Sequence, residues 1–473
     1  MDWDEKADII VIGSGLAGLA SAIEAAQAGA SVIVFEKMKV IGGNTRISDG
    51  ALAAPGNYLQ KKRGIEDSPE LFYDDMLRAG LNLNHPQLVR IFAERAAETI
   101  EWTRQKLGVR YLDRLDRFGG HSAARSLTTK GHLGADIIKA QTAKLNELGV
   151  EIRTRCLLTG FITDRKRSAI RGVNVRVGYQ FPDENSGTEK KVGANRAVIL
   201  ATGGFGNDLA FCKLQRPGLD ESIQSTNQRG ATAEGMVAAL SIGALPVHLS
   251  WIQMGPWGCP DEKAYGMGAR FASYSVYPAG ILIDPATGCR FVNEWGDRRE
   301  RSEAMLRAGH PCIGIVDSNG AQKDAESLKN CLKSGKVKGF ENLSDLAEAY
   351  GIPFSALNQT LNDYNSAILE SRPDAFGKPL GEDTPPLKTP PFYGMRLWPK
   401  LHYTPGGIGI NAKAQVINLK GQPIPGLFAA GEVCGGIHGA SRLSSCALTE
   451  CLIFGRIAGQ EAVNRSRQDA APT

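Results

Sequence analysis

The most constraining feature of this chain is residues 8–36, which read as strand, tight turn, helix and strand in immediate succession. An apolar run, Ile9, Ile10, Val11 and Ile12, leads straight into Gly13, Ser14, Gly15, Leu16, Ala17 and Gly18. Ala-rich helical sequence follows to Gly29, and a second apolar run, Val32, Ile33, Val34 and Phe35, ends in Glu36. This is the spacing of a dinucleotide-binding unit: Gly13 permits the turn, Gly15 leaves the backbone bare for a pyrophosphate, and Gly18 lets the helix pack closely on the strand. The helix N-terminus, at Leu16 and Ala17, presents partial positive charge to that pyrophosphate. A carboxylate at Glu36 accepts hydrogen bonds from an adenosine ribose and repels a 2′-phosphate. A glycine triplet alone is weak, but this one follows a strand, opens a helix and stands roughly 20 residues ahead of an acid, which is the confirming context. The nucleotide at this stage is either NAD or FAD.

At 473 residues the chain exceeds one ordinary core, so two or three domains are expected. No window approaches the ~20 apolar residues of a membrane span. The polar start, Met1-Asp2-Trp3-Asp4-Glu5-Lys6, runs directly into the first strand and leaves no room for a secretory signal, so a cytoplasmic location is expected. A net charge of +5, spread along the chain, argues against nucleic acid as a partner. The nine cysteines show no C-x-x-C and no paired histidine spacing; they read as buried small hydrophobes, and no metal site is implied.

After Glu36 comes a run of small residues and glycines that includes Lys37, Gly42, Gly43, Asn44, Thr45 and Gly50, a backbone kept bare for something flat to lie against it. Helical periodicity returns over 69–107, with a new start at Pro86, and again over 134–148. Three alternating stretches, 150–158, 169–179 and 197–200, predict a β-meander inserted into the nucleotide domain. The third ends in Ala201, Thr202, Gly203 and Gly204, at the carboxyl end of a strand where ligands of open α/β sheets sit. A helix is predicted over 230–243. Beyond about residue 245 the character changes, and Trp251, Trp257, Tyr265, Tyr274 and Tyr277 crowd a Gly-rich segment. A helical pair over 343–369 and a Pro-rich return over 383–391 complete that second region, and a polar tail from residue 464 is expected to be disordered. The boundaries are therefore 1–245, 246–393 and 394–473.

Near the C-terminus, Ala429-Ala430-Gly431-Glu432 ends a strand and is followed by Arg442, Ser444 and Ser445 at the head of a helix that includes Ala447 and Leu448. With these residues, Gly13 to Gly18, Glu36, Gly42-Gly43-Asn44, Ala201 to Phe205, Arg290-Phe291-Val292-Asn293-Glu294, His402-Tyr403-Thr404 and Gly406-Gly407, the chain resembles the soluble flavoproteins of the fumarate reductase and succinate dehydrogenase family along nearly its whole length. The resemblance implies an α/β protein: a split Rossmann-like, glutathione-reductase-like FAD-binding domain (1–245 and 394–473) with an inserted α+β capping domain (246–393). It implies that Glu432 binds ribityl or ribose hydroxyls and that the helix starting at Ser444 to Ala447 points its positive end at the flavin. Members with covalent FAD carry a histidine shortly after Gly-Gly-Asn. This chain has Arg46-Ile47-Ser48 there, so non-covalent FAD is expected.

By the same resemblance His402 and Arg442 hold a substrate carboxylate, Gly406 and Gly407 flank it, and an arginine after Arg-Phe-x-Asn-Glu delivers a proton. Counting the spacing places that acid at Arg298, but Arg299 is one residue away and the family's usual acidic residue at 299 is absent, so a slip of one would exchange them. Without the motif, a histidine before a Gly-Gly turn reads as structural and an arginine in a polar loop as a surface charge. His121 and His438 keep such hydrogen-bonded roles.

The chain departs from the family in the capping segment. Where fumarate reductases carry His-Pro-Thr after Ile-Gln, it has Met254-Gly255-Pro256-Trp257, and the family's Thr, Glu and Arg fall on Ala272, Ser273 and Val276. A second substrate carboxylate loses its partners, and burying it unpaired costs several kcal/mol. The expected substrate is a non-fumarate enoate with one carboxylate and a bulkier or aromatic second group near Gly255, Trp257, Tyr274 or Tyr277, unless these aromatics are capping-domain core. No second dinucleotide unit, haem motif or iron–sulfur cysteine set is present, so a separate electron donor or acceptor is expected. The competing readings are a fumarate reductase or succinate dehydrogenase proper, a 3-ketosteroid dehydrogenase-like enzyme, and a non-catalytic electron-carrying flavoprotein.

Overall fold

The computed structural model describes residues 2–164, 169–381 and 384–465. The tail read from residue 464 onward therefore lies almost wholly outside the described residues, as does Asp383 at the start of the Pro-rich return. The chain forms two compact units, one of Met1–Leu219, Gln228–Ile252 and Tyr403–Thr473, the other of Asp220–Asn227 and Gln253–His402.

The first unit is built on the strand Glu5–Ile12, whose last six residues are buried on both faces, as a near-continuous apolar run demands. It pairs in parallel with Val32–Glu36 on one side and with Thr188–Leu200 on the other. Glu151–Thr154 and Pro423–Ala429 extend the parallel sheet at either end, and Gln415–Ile417 closes it as an antiparallel edge. The predicted meander is present as Cys156–Thr163, Ile170–Val177 and Thr188–Leu200. Its third strand is far longer than the alternation over 197–200 suggested. The outer end, Thr188 to Lys191, is polar and exposed, and carries no apolar signal that would reveal a strand.

The predicted helices are found at Pro69–Ala79, Pro86–Lys106, Ala135–Glu147 and Glu234–Ser241. The dinucleotide helix Leu16–Gln27 packs along the C-terminal helix Cys446–Asn464, and Glu24 ties the two by accepting from Arg456 Nε at 2.5 Å.

The second unit has a five-stranded antiparallel sheet in the order Cys289–Arg290, Ile281–Asp284, Cys312–Val316, Phe392–Leu397 and Val337–Phe340. The period-2 alternation of Ile281, Leu282 and Ile283 sends side chains to two cores. Leu282 packs with Trp257, Phe271, Tyr277 and Met395, while Ile281 and Ile283 pack with Leu357, Leu361 and Tyr364 of the helix Phe354–Leu369. This is the α/β architecture with an α+β insertion that the resemblance implied. No helix among the described residues is long and apolar enough to cross a membrane.

Candidate functional site

The first unit holds a cleft at the carboxyl ends of its parallel strands. Of the residues expected to bind a dinucleotide, Gly13, Gly15, Leu16, Ala17, Glu36, Lys37, Gly43, Asn44, Thr45, Ala201, Thr202, Gly203, Gly204, Gly431 and Glu432 line it. Gly15 has an ordinary φ of −69°, and a Cβ there would meet no atom within 4 Å; the side chain is missing to leave the cleft open. Glu36, buried at the end of its strand, accepts from Ser14 N at 3.0 Å and Ser14 Oγ at 2.6 Å through Oε2, and from Met38 N through Oε1. A bare turn at a helix N-terminus, with a fixed carboxylate at the end of the second strand, fits the pyrophosphate and ribose of a dinucleotide.

Other expected residues support the cleft from behind. Gly18 packs against the Gly13 carbonyl, and Gly42 donates its N–H to Ser14 Oγ at 3.2 Å. Gly50 backs onto Thr129 and Leu133. Ser445, with φ 62°, is the N-cap of the helix that begins at Cys446, so Ala447 and Leu448 lie in its first turn. Gly406 and Gly407 are places of close backbone approach, against the carbonyls of His248 and Val433.

Sequence reasoning did not foresee Cys156, Leu157 and Leu158, nor the segment Gln228 to Gly235, as parts of this lining. The latter is tied in by Asn44 Oδ1, which accepts from Gln228 N at 2.9 Å, and by Lys37, whose Nζ pairs with Glu234 at 3.0 Å and bonds Thr232 Oγ1. The small residues before the predicted helix were the available signal.

Arg442 is also in the first unit. Its guanidinium carbon lies 4.5 Å from the centre of the Tyr403 ring, and its Nη1 donates to Leu443 O at 2.8 Å. Tyr403 donates its hydroxyl to Glu450 Oε2, which also meets His438 Nε2 at 3.0 Å. Burial holds the Tyr403 phenol far above its usual range and pulls His438 down, so the phenol is a donor and the imidazole is neutral. His438 thus has a hydrogen-bonded place in the loop. Burial pushes the Glu432 carboxyl up to about 7, against the hydrogen bonds it accepts from Thr404 N and Oγ1.

The second unit brings together the other two catalytic candidates. His402 Nδ1 lies 2.8 Å from Thr226 Oγ1, and that hydroxyl stands 3.2 Å from Leu401 O. With the hydroxyl proton directed to the carbonyl, Thr226 accepts from Nδ1–H, which fixes both the tautomer and the ring plane. Thr226 lies in the short segment Asp220–Asn227, which Asn227 Nδ2 ties to Leu401 O; nothing in its sequence marked it. His402 also meets Trp257 edge to face, with ring centres 5.0 Å apart. On the same indole stands Arg298, its guanidinium carbon 4.3 Å from the ring centre.

Arg298 opens the helix Arg298–Ala308, capped by Asp297, whose carboxylate accepts from Arg299 N. Arg298 is only 8% exposed, whereas Arg299 turns outward to Glu303 at 3.2 Å. The preceding Arg-Phe-Val-Asn-Glu motif acts as an anchor. Arg290 forks onto Glu294 (2.8 and 2.6 Å) and pairs with Asp374 (2.5 Å), and Glu294 O receives Arg301 Nη1.

Around this cluster the aromatic residues expected to receive a bulky substrate group are packed inward: Trp257 is 4%, Tyr274 8% and Tyr277 2% exposed. Trp257 and Tyr277 belong to the core of the second unit, and the Tyr277 hydroxyl donates to Pro256 O at 2.8 Å.

Residues 8–448 match the FAD binding domain family. The chain is 40% identical over 465 residues to the acrylate reductase flavoprotein subunit of Shewanella woodyi, covering 97% of this chain and 91% of that one. It is 33% identical to the urocanate reductase of Eggerthella lenta, over 96% of this chain and 74% of the relative. Among solved structures, the open conformation of a flavocytochrome c3 fumarate reductase superposes with a TM-score of 0.77 at 31% identity, covering 98% of this chain and 78% of that one. The dinucleotide is FAD, and the chain belongs to the fumarate reductase and succinate dehydrogenase flavoprotein family, as a flavin-dependent oxidoreductase acting on carbon–carbon double bonds.

Proposed function

We propose that the protein reduces the double bond of a short α,β-unsaturated monocarboxylate with electrons from a separate donor, using His402 and Arg442 to hold the carboxylate and Arg298 to deliver the proton. The observation that carries this reading is that His402 and Arg298 meet the same indole, Trp257. The likeness to relatives named for acrylate and urocanate, each a 2-enoate with one carboxylate, supports the substrate class.

FAD bound in the cleft of the first unit and reduced by that donor would supply the hydride. The chain's own groups do the rest. His402, oriented through Nδ1 by Thr226, and Arg442, stacked on Tyr403, draw charge toward the carboxylate and make the β-carbon electrophilic. The α-carbon then needs a proton. A guanidinium is a weak acid in water, and gives up its proton only where burial penalises its charge and the acceptor is strongly basic. Arg298 meets the first condition and a carbanion the second. Arg299, paired with Glu303 and Glu300, does not suit the role.

The test is anaerobic reoxidation of the photoreduced holoprotein by a panel of enoates. Rapid reoxidation by acrylate, with saturated propionate inert, is expected. Reoxidation by none of the enoates would overturn the reading.

A further inference from the structure

We propose that His121 is a positioning residue for the reaction: it fixes the backbone of residues 443–445, on which the guanidinium of Arg442 rests, and Arg125 in turn fixes His121. The inference rests on the reading of Arg442 as a carboxylate ligand, and adds to it a support from a distant stretch of the same unit.

Two successive carbonyls of this backbone have different partners. Leu443 O accepts from Arg442 Nη1 at 2.8 Å, and Ser444 O lies 3.0 Å from His121 Nε2. The carbonyl that holds the guanidinium is thus one peptide away from the carbonyl that meets the imidazole. At Ser445 the chain has φ 62°, in the left-handed region, a conformation that a residue with a Cβ keeps only where its surroundings impose it. His121, at Ser444 O, and Ala53, whose N–H donates to Ser445 O at 2.9 Å, impose it here. Gly120 permits the approach, since a Cβ there would stand 2.7 Å from Leu443 Cδ2. The earlier part of the loop is held by Gly80 O, which accepts from Ala440 N at 3.0 Å, and by Asn84 Nδ2, which donates to Ile437 O at 2.9 Å. His121 supplies the hold next to Arg442.

A buried charge cluster sets the direction of the imidazole. Arg125, fully buried, forks onto Asp67 through Nε at 2.9 Å and Nη2 at 2.8 Å. Its Nη1 reaches Asp75 Oδ2 at 2.6 Å and His121 Nδ1 at 3.3 Å. A guanidinium has donors and no acceptor, so Nδ1 accepts, and the ring proton sits on Nε2, where it donates to Ser444 O. Asp75 also accepts from Ser122 N at 2.8 Å, which ties the backbone next to His121 to the same cluster. Burying one cation with two carboxylates costs desolvation that apolar side chains of the same volume escape. What the charged cluster adds is direction: a rigid fork, anchored on two carboxylates, leaves the imidazole one tautomer and one carbonyl to meet.

The experiment compares wild type, His121→Leu, His121→Gln and His121→Asn as purified holoproteins, with flavin content measured first. Reoxidation of the photoreduced flavin is then followed with acrylate over a range of concentrations, and with ferricyanide, an oxidant that needs no carboxylate ligand. His121→Leu is expected to raise the acrylate concentration at half the limiting rate about 10-fold or more, within the roughly 100-fold that a misplaced group can cost, and to leave ferricyanide reoxidation unchanged. His121→Gln, whose amide nitrogen can take the place of Nε2, is expected to restore most of the loss; His121→Asn, whose amide reaches only as far as Nδ1, is not. If His121→Leu does not retain flavin, the contrast between His121→Gln and His121→Asn decides the result. Wild-type half-saturation in flavin-loaded His121→Leu, equal half-saturation in His121→Gln and His121→Asn, equal slowing toward both oxidants, or loss of flavin from all three variants would overturn the proposal and leave the enoate reading standing. Wild type reoxidised by ferricyanide but by no enoate would overturn that reading, and this proposal with it.

Discussion

Tyr403 donates its hydroxyl to Glu450 at 2.7 Å while the face of the same ring carries the guanidinium of Arg442. One side chain thus links the C-terminal helix to the arginine assigned to the substrate carboxylate. The two functions of the ring are separable by mutation. Tyr403→Phe keeps the face and loses the hydroxyl, leaving a buried Glu450 oxygen short of a donor, so it is expected to lower stability by about 1–3 kcal/mol with flavin content unchanged. Tyr403→Leu also removes the stack and is expected to raise the KM for the enoate in addition. Urea unfolding and steady-state kinetics on the two variants check this; equal KM values in both would show that the ring does not position Arg442.

The nucleotide turn makes a second prediction, because two of its glycines are glycine for different reasons. Gly15 leaves open space toward the cleft, whereas Gly13 has φ +104° and a Cβ there would stand 2.2 Å from Ala201 O. Gly15→Val is expected to fold with a stability within about 0.5 kcal/mol of wild type but to bind FAD about 100-fold more weakly, since the branched side chain enters the pyrophosphate's place. Gly13→Ala is expected to destabilise the fold itself. Thermal unfolding of the flavin-free proteins, with flavin titration by fluorescence, distinguishes the two outcomes.

How much of this was legible in the sequence depends on how local each signal is. The turn after Ile12, the carboxylate at Glu36 and Glu432 just beyond the strand Pro423–Ala429 lie in contiguous patterns in which residue type follows from backbone geometry or ligand charge, and the structure brings them to one cleft. Thr226 gave no such signal. It orients His402 from 176 residues away, in an eight-residue segment tied to Leu401 and His402 by backbone and side-chain bonds. The aromatic crowding between Trp257 and Tyr277 was visible, but composition does not distinguish rings that line a space from rings that fill it. Likewise, the opposite directions of the Arg298 and Arg299 side chains needed the helix. Asp297 caps it, and from that start one arginine turns inward onto Trp257 and the other outward to Glu303.

Glu432 sets a pH dependence. Burial raises its carboxyl from an ordinary 4.5 to about 7 in the flavin-free fold, so between those values the folded state holds a proton that the unfolded chain releases. The resulting stability, on the order of 3 kcal/mol, is fully present below the unfolded value and is lost as pH rises through the folded one. Flavin-free wild type is therefore expected to unfold at lower urea at about pH 8 than at about pH 5. Glu432→Gln, whose amide oxygen still accepts from Thr404 N, is expected to flatten that difference. Parallel profiles for the two proteins would contradict the assignment.

The central claim, that Arg298 delivers the proton in reduction of a short enoate, is tested most directly by the single-turnover rate at which acrylate reoxidises the reduced flavin in Arg298→Gln and Arg299→Gln. The account predicts a loss of about 10²–10⁴-fold for Arg298→Gln, the scale for removing a positioned proton donor, with flavin bound as in wild type. Arg299→Gln, which gives up a half-buried pair with Glu303, is expected to stay within about threefold of wild type. Equal rates in Arg298→Gln and wild type, or the larger loss in Arg299→Gln, would contradict it.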